Sequence, residues 1–197
     1  MKLYYLFFLV FLVTVCMGSV SYDFTELPEG WTAEYPWYFS SAGANIHIVA
    51  YGKPEQSVTR RIESDSAPLI VTQGTTTVHV VLESTWELYG QYWTGEWYSR
   101  IWGRAFVNGE DNYTIVYECE SGGFEGDFRS AKMDEEKETS EVFIPVSEGD
   151  LVTFCFEARA DAFGAKAEVE WNITHLSVSG VTTSLDRSTW ADIKACF

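Results

Sequence analysis

Apolar and polar residues alternate through much of the chain with a period of two. Between 150 and 160, Val152, Phe154, Phe156 and Ala158 share one side, and Thr153, Cys155, Glu157 and Arg159 the other. Between 166 and 178, Val169, Trp171 and Ile173 oppose Glu168, Glu170, Asn172 and Thr174. Successive side chains of a strand point to opposite faces, so this is the signature of strands with one face in a core. "NIHIVAY" (45–51), "TTVHVVLES" (76–84), "YTIVYECE" (113–120) and "EVFIPV" (141–146) are likewise rich in β-branched and aromatic residues. "YGKPEQ", "TQGT", "NGEDN", "SEGD" and "AFGA" supply turn signals between the strands. The body carries no long amphipathic helical pattern. About nine strands with frequent turns predict an all-β chain, an antiparallel two-sheet β-sandwich with a barrel as the alternative. The domain is expected over 22–180.

The stretch "YGQYWTGEWYSRIWGRAF" (89–106) departs from the ordinary version of this pattern. Ile101, Gly103, Ala105 and Val107 share one side, while Tyr98, Arg100, Trp102, Arg104 and Phe106 share the other. The small apolar residues mark the core side, with Trp97 packing inward beside Ile101. Tyr89, Tyr92 and Trp93 lie around Gly90 and Gly95, which read as a loop. Rings beside arginines on a polar face are the chemistry of a sugar-binding surface. Pyranose C–H faces stack on Trp and Tyr, and hydroxyls take charged or amide partners. The candidate ligand-binding residues are Tyr92, Trp93, Tyr98, Arg100, Trp102, Arg104, Glu157, Arg159, Glu168 and Glu170. The alternative is that these rings are packing, because Trp and Tyr are heavily buried on average.

The ends change the picture. "MKLYYLFFLVFLVTVCMGSVS" has one positive residue, Lys2, an apolar run from Leu3 to Val15, then small residues at Gly18, Ser19 and Ser21. That is the layout of a secretory signal peptide over 1–18, with cleavage at 18–21. The apolar run is shorter than the roughly 20 residues of a bilayer-spanning helix, so no membrane span is expected in the mature chain. The formal net charge is −16, and losing Lys2 makes it more negative. Such a surface repels phosphate backbones, so nucleic acid is not an expected partner. A neutral glycan or a cell-surface protein is compatible with it.

An exported chain can form disulfides. Cys119 and Cys155 lie in separate strand-like stretches and are the candidate pair, with Cys196 left over. His47, His79 and His175 are far apart in sequence, and no cysteine or histidine spacing predicts a metal site or other cofactor. "NGEDN" (108–112) offers oxygens but reads better as a hairpin turn than as a calcium loop. No catalytic residue is assigned. Glu168 and Glu170 share a strand face, yet "EVEWNITH" lacks the Glu-x-Asp-x-x-Glu pattern of laminarinase-like glycosidases.

"YDFTELPEGWTAEYPWYF" (22–39) resembles the "F…LPEGW…W" opening of secreted jelly-roll modules found on bacterial surface proteins and beside carbohydrate-active enzymes. The resemblance implies a jelly-roll sandwich with a binding or spacing role, and it transfers no site residue. "STWADIKACF" (188–197) is similar to short Trp…Ile-Lys…aromatic tails that end many exported bacterial proteins. It implies a linker over 181–187 and a short helical tail over 188–197, with Thr189 as its cap.

Overall fold

The computed structural model describes residues 18–52, 56–121 and 130–183, with the side chains of 92–94, 112–121 and 130–138 outside the description. Residues 1–17 of the expected signal peptide (1–18) and the expected tail 188–197 lie outside the described residues. The chain is all-β, and its strands form one curled antiparallel sheet. In order these are β1 (Ser19–Tyr22), β2 (Thr32–Ala33), β3 (Tyr38–Ser40), β4 (Gly43–Tyr51), β5 (Gln56–Glu63), β6 (Leu69–Val71), β7 (Thr77–Val107), β8 (Glu110–Ser121), β9 (Ser130–Pro145), β10 (Leu151–Ser179) and β11 (Val181–Thr183).

Two long strands organise the sheet. β7 has 31 residues and β10 has 29, and they pair antiparallel from Val107↔Val152 to His79↔Ser179. A straight strand of that length would span about 100 Å. A compact chain of this size has a radius of gyration of about 16 Å. Both strands must therefore bend, and the positions of the bends are visible. In β7 the Ser99 hydroxyl donates to the Tyr89 carbonyl at 2.9 Å. Ten residues of straight strand would hold those groups roughly 33 Å apart. The Trp97 indole lies where a side chain on Gly90 would stand. Gly95 likewise presses on the Phe163 carbonyl. In β10 the register breaks between Phe163 and Ala165, where Gly164 has φ of 61°, and again between Ile173 and His175. Such bulges bend a strand and increase its twist.

This corrects the segmentation expected from the turn signals. Gly90 and Gly95 do not open a loop at 89–96, and "AFGA" does not end a strand. Glycine is needed at 90 and 95 because the Trp97 ring and the Phe163 carbonyl approach too closely for a Cβ, and it suits 164 because φ there is 61°. The sheet creases there without stopping. On one side of the creases, β7 from 97 to 107 and β10 from 151 to 162 pair with β8, β5 and, through β5, β2. On the other, β7 from 77 to 91 and β10 from 165 to 179 pair with β9, β4 and β1, and β3 pairs with β4.

Curling brings the inner faces of the two halves together. A residual cavity of about 20 Å³ is lined by Val80, Leu82, Gly103, Ala105, Phe154 and Leu176, among others, which come from both halves of both long strands. The alternation read above holds: Val152, Phe154, Phe156, Ala158, Val169, Trp171, Ile173 and Ile101 are all buried, and so is Trp97. Phe24, Trp31 and Trp37, the aromatic residues in and around the "LPEGW" motif, plug one region of this core. Phe24 and Trp31 meet edge to face at 5.4 Å, Trp31 stacks on Phe156 at 6.2 Å, and Trp37 lies 5.9 Å from Trp171.

Short strands close the ends. β6 pairs with the start of β10, and β11 pairs with β6, so Val181–Thr183 belong to the sheet and not to a linker. The Gly18 carbonyl accepts from the Gly180 and Val181 amides at 2.8 and 3.2 Å. The β7–β8 hairpin turns at Asn108 and Gly109, with φ of 53° and 83°, which is the two-residue turn that Asn-Gly favours.

Candidate functional site

The candidate residues fall into two groups, one on the outer face of each half of the sheet. The first follows from strand register. Tyr98, Arg100, Trp102 and Arg104 of β7 stand opposite Asp161, Arg159, Glu157 and Cys155 of β10. β10 in turn sets Glu157, Arg159 and Asp161 opposite Arg61, Thr59 and Ser57 of β5. The period-two split thus builds a polar ladder three strands wide.

At its centre Glu157 is buried at 4% exposure. A buried carboxylate requires partners. The Arg61 Nε–H donates to Glu157 Oε2 at 2.7 Å, and an Arg104 Nη2–H approaches the same oxygen at 3.4 Å. The bond from Glu157 holds the Arg61 guanidinium above its ordinary pKa, against a smaller effect of burial. Beside it, Arg159 donates to Asp161 at 2.7 Å, and the Ser57 hydroxyl donates to Asp161 at 2.5 Å.

Trp102 does lie on the arginine side, and it is partly buried. The Arg100 guanidinium carbon sits 3.4 Å from its ring centroid and that of Arg104 sits 4.4 Å away. Each contact is a cation–π interaction, worth about 0.5–2 kcal/mol. The Trp102 Nε1–H is buried and has no hydrogen-bond partner among the described residues. The row continues to Phe106, which Arg104 overlies at 5.5 Å. Phe106 forms one wall of an open hollow of about 480 Å³, with Asp65, Pro68, Asn108, Leu151 and Thr153 among the others.

Glu168 and Glu170 are not part of this face. They lie beyond the crease at 163–165, on the outer face of the other half, paired with Val49 and His47 of β4. The His47 Nε2 is 2.7 Å from Glu168 Oε1 and 3.8 Å from Glu170 Oε1. Lys166 donates to the other oxygen of Glu168 and sits 5.3 Å from the Tyr89 ring centroid. Burial opposes ionisation of Glu168, but the bonds from Lys166 and His47 outweigh it and hold the carboxyl below its usual range. The side chains of Tyr92 and Trp93 lie outside the described residues; the backbone of Tyr92 pairs with Ala165, at the crease.

The proposed Cys119–Cys155 bridge is corrected. Cys155 is a free, buried thiol. Register sets Cys119 opposite Ser99, and Ser99 opposite Ala160, five residues from Cys155 and two strands across. That offset is about 16 Å along the strand alone, against the roughly 7 Å a disulfide allows. Cys155 instead lies between Arg104 and the Glu63 carboxylate, each 3.6 Å from its sulfur, and burial pushes the thiol up to about 12.

Sequence reasoning missed Arg61, Asp161, His47 and Lys166. For Arg61 a signal existed: in "VTRRIE" (58–63), Thr59, Arg61 and Glu63 alternate with Val58, Arg60 and Ile62. For His47 there was none, because its partners are 121 and 123 positions away. Among the described residues no helix is long and apolar enough to cross a membrane. No protein-family model matches the chain, and no curated protein matches it.

Proposed function

We propose that this chain is an exported, non-catalytic module of jelly-roll type that binds a neutral glycan, or another extracellular ligand, on the outer face of β7 and β10. The supporting observation is that the row Tyr98, Arg100, Trp102, Arg104 and Phe106 leads into the 480 Å³ hollow. Ligand sites commonly enclose about 300–1,000 Å³ and combine rings with a few fixed polar groups. Asp65 and Asn108 supply the polar groups here, and Phe106 the ring. Glu157 offsets one of the two arginines that hold it and Asp161 offsets Arg159, so the face keeps only a small positive excess and its guanidiniums can donate to the hydroxyls of a neutral partner.

The experiment is a glycan-array screen, then calorimetry with any positive sugar and thermal melts of the same proteins. Millimolar to micromolar binding is expected, about −4 to −8 kcal/mol. Phe106→Ala and Trp102→Ala should each weaken it about tenfold or more, with the melt largely preserved. A wild type that binds no sugar, or variants that bind as wild type does, rejects the reading.

A second reading is favoured by one specific observation. Arginines already lie over the Trp102 ring where a sugar would stack. On this reading the chain is a structural or adhesion subunit of the cell surface with no small ligand, and the Trp102–arginine contacts serve the sheet. It predicts that Trp102→Ala lowers the melt and changes no sugar binding.

A further inference from the structure

The outer face of the second half carries a constellation that the Trp102 face and its hollow do not include. Glu168 and Glu170 are two apart on β10 and so point the same way. His47 stands directly opposite Glu170 on β4. The His47 ring nitrogen and one oxygen of each carboxylate all lie within 4.8 Å of one another. The three donors come from paired strands, so their backbone spacing is held by the sheet and does not depend on a loop.

We infer that His47, Glu168 and Glu170 form a binding site for one divalent transition-metal ion, zinc(II) by preference. An imidazole with two carboxylates is a donor set that suits zinc, whereas calcium and magnesium favour oxygen ligands alone. Ligand atoms around tetrahedral zinc stand about 3.3 Å apart, from bonds of about 2.0–2.1 Å. Small side-chain rotations close the present set to that size. The imidazole takes the Nδ1–H tautomer, so that Nε2 offers its lone pair to the ion. Lys166 bonds the Glu168 oxygen that faces away from His47. It leaves Oε1 for the metal and fixes the plane of the carboxylate, as outer partners of metal ligands commonly do. Three protein ligands leave a fourth position open to water or to an oxygen of a bound molecule. The negative charge of the chain, −16, favours cation capture generally, so the test must separate a site from an ion atmosphere.

The test is calorimetric titration of the metal-stripped chain with zinc(II), and cobalt(II) absorbance as a probe of nitrogen–oxygen coordination. One equivalent is expected to bind, with a cobalt visible band. Binding should weaken tenfold or more in His47→Ala and in Glu170→Gln. His79→Ala removes a separate imidazole–carboxylate contact, between β7 and Glu141 at 3.2 Å, and should leave binding unchanged. Circular dichroism confirms that each variant folds; the His47 side chain is half exposed, so its loss is not expected to unfold the sheet. No zinc binding up to millimolar concentration overturns the inference. So does undiminished binding by folded His47→Ala, or equal affinity for magnesium.

Discussion

Two glycines in one strand have opposite requirements, and the difference can be measured. Gly90 lies under the Trp97 indole, so a Cβ there must displace the ring. Gly103 faces Phe156 and Leu82 with room: its Cβ would meet Phe156 carbons at 3.4 and 3.5 Å and a Leu82 methyl at 3.8 Å, ordinary contact distances. Gly90→Ala is expected to cost about 1–3 kcal/mol, as overpacked cores do. Gly103→Ala is expected to gain about 0.4–1 kcal/mol, because alanine restricts the unfolded chain and partly fills the adjoining cavity. Urea denaturation of the two variants checks both signs. A third residue-scale expectation concerns Cys155. With its thiol at about 12, it holds almost no thiolate at pH 8, and the thiolate is the reactive form. Iodoacetamide at that pH should leave the Cys155 peptide unmodified in the folded chain and alkylate it in denaturant, read by peptide mass mapping. At this scale much was legible in advance. The inward positions of Trp97 and Ile101, and the outward position of Trp102, followed from a period of two beside a buried face. The burial of Glu157 did not follow, because it depends on arginines from two other strands.

Single elements show where local reading fails. A glycine in a strand-like run signals a break when only neighbours in sequence are considered. Gly90 and Gly95 instead sit where a continuing strand folds over and another group comes within van der Waals reach, and Gly164 sits at the matching break of β10 with φ of 61°. Local propensity cannot separate those cases, since the discriminating neighbour, Trp97 or Phe163, is known only once the crease exists. β1 gives a testable consequence. Residues Ser19 to Tyr22 pair with Leu176 to Ser179, and the Tyr22 ring packs 5.2 Å from Trp31. A chain beginning at Gly18 keeps this strand whole, whereas one beginning at Asp23 loses it. A chain beginning at Gly18 should exceed one beginning at Asp23 by about 2–4 kcal/mol, the scale of burying Val20 and Tyr22 in part. Comparing their denaturation midpoints settles this.

For the whole molecule, the outcome of the two creases is that a few long strands replace many short ones. The strand class and the inner faces were readable from alternation. The curl was not, because it arises from pairing between 77–107 and 151–179, segments separated by more than forty residues of chain. The same pairing decides the split of the candidate residues. Glu157 and Glu168 are eleven positions apart on one strand, yet the crease between them assigns one to the Trp102 ladder and the other to the His47 cluster.

The bonds from Gly180 and Val181 to the Gly18 carbonyl make the described chain nearly a closed ring. Where a protein starts is then almost arbitrary with respect to its architecture. A short linker from residue 183 to residue 18, with new ends opened between Asn108 and Gly109, should yield a circular permutant with the same circular dichroism spectrum. The geometry also bears on display. Whatever is joined to the sheet at residue 18 or at residue 183 is joined at one place, so a carrier on either side would hold the domain by the same corner and present the same surface outward.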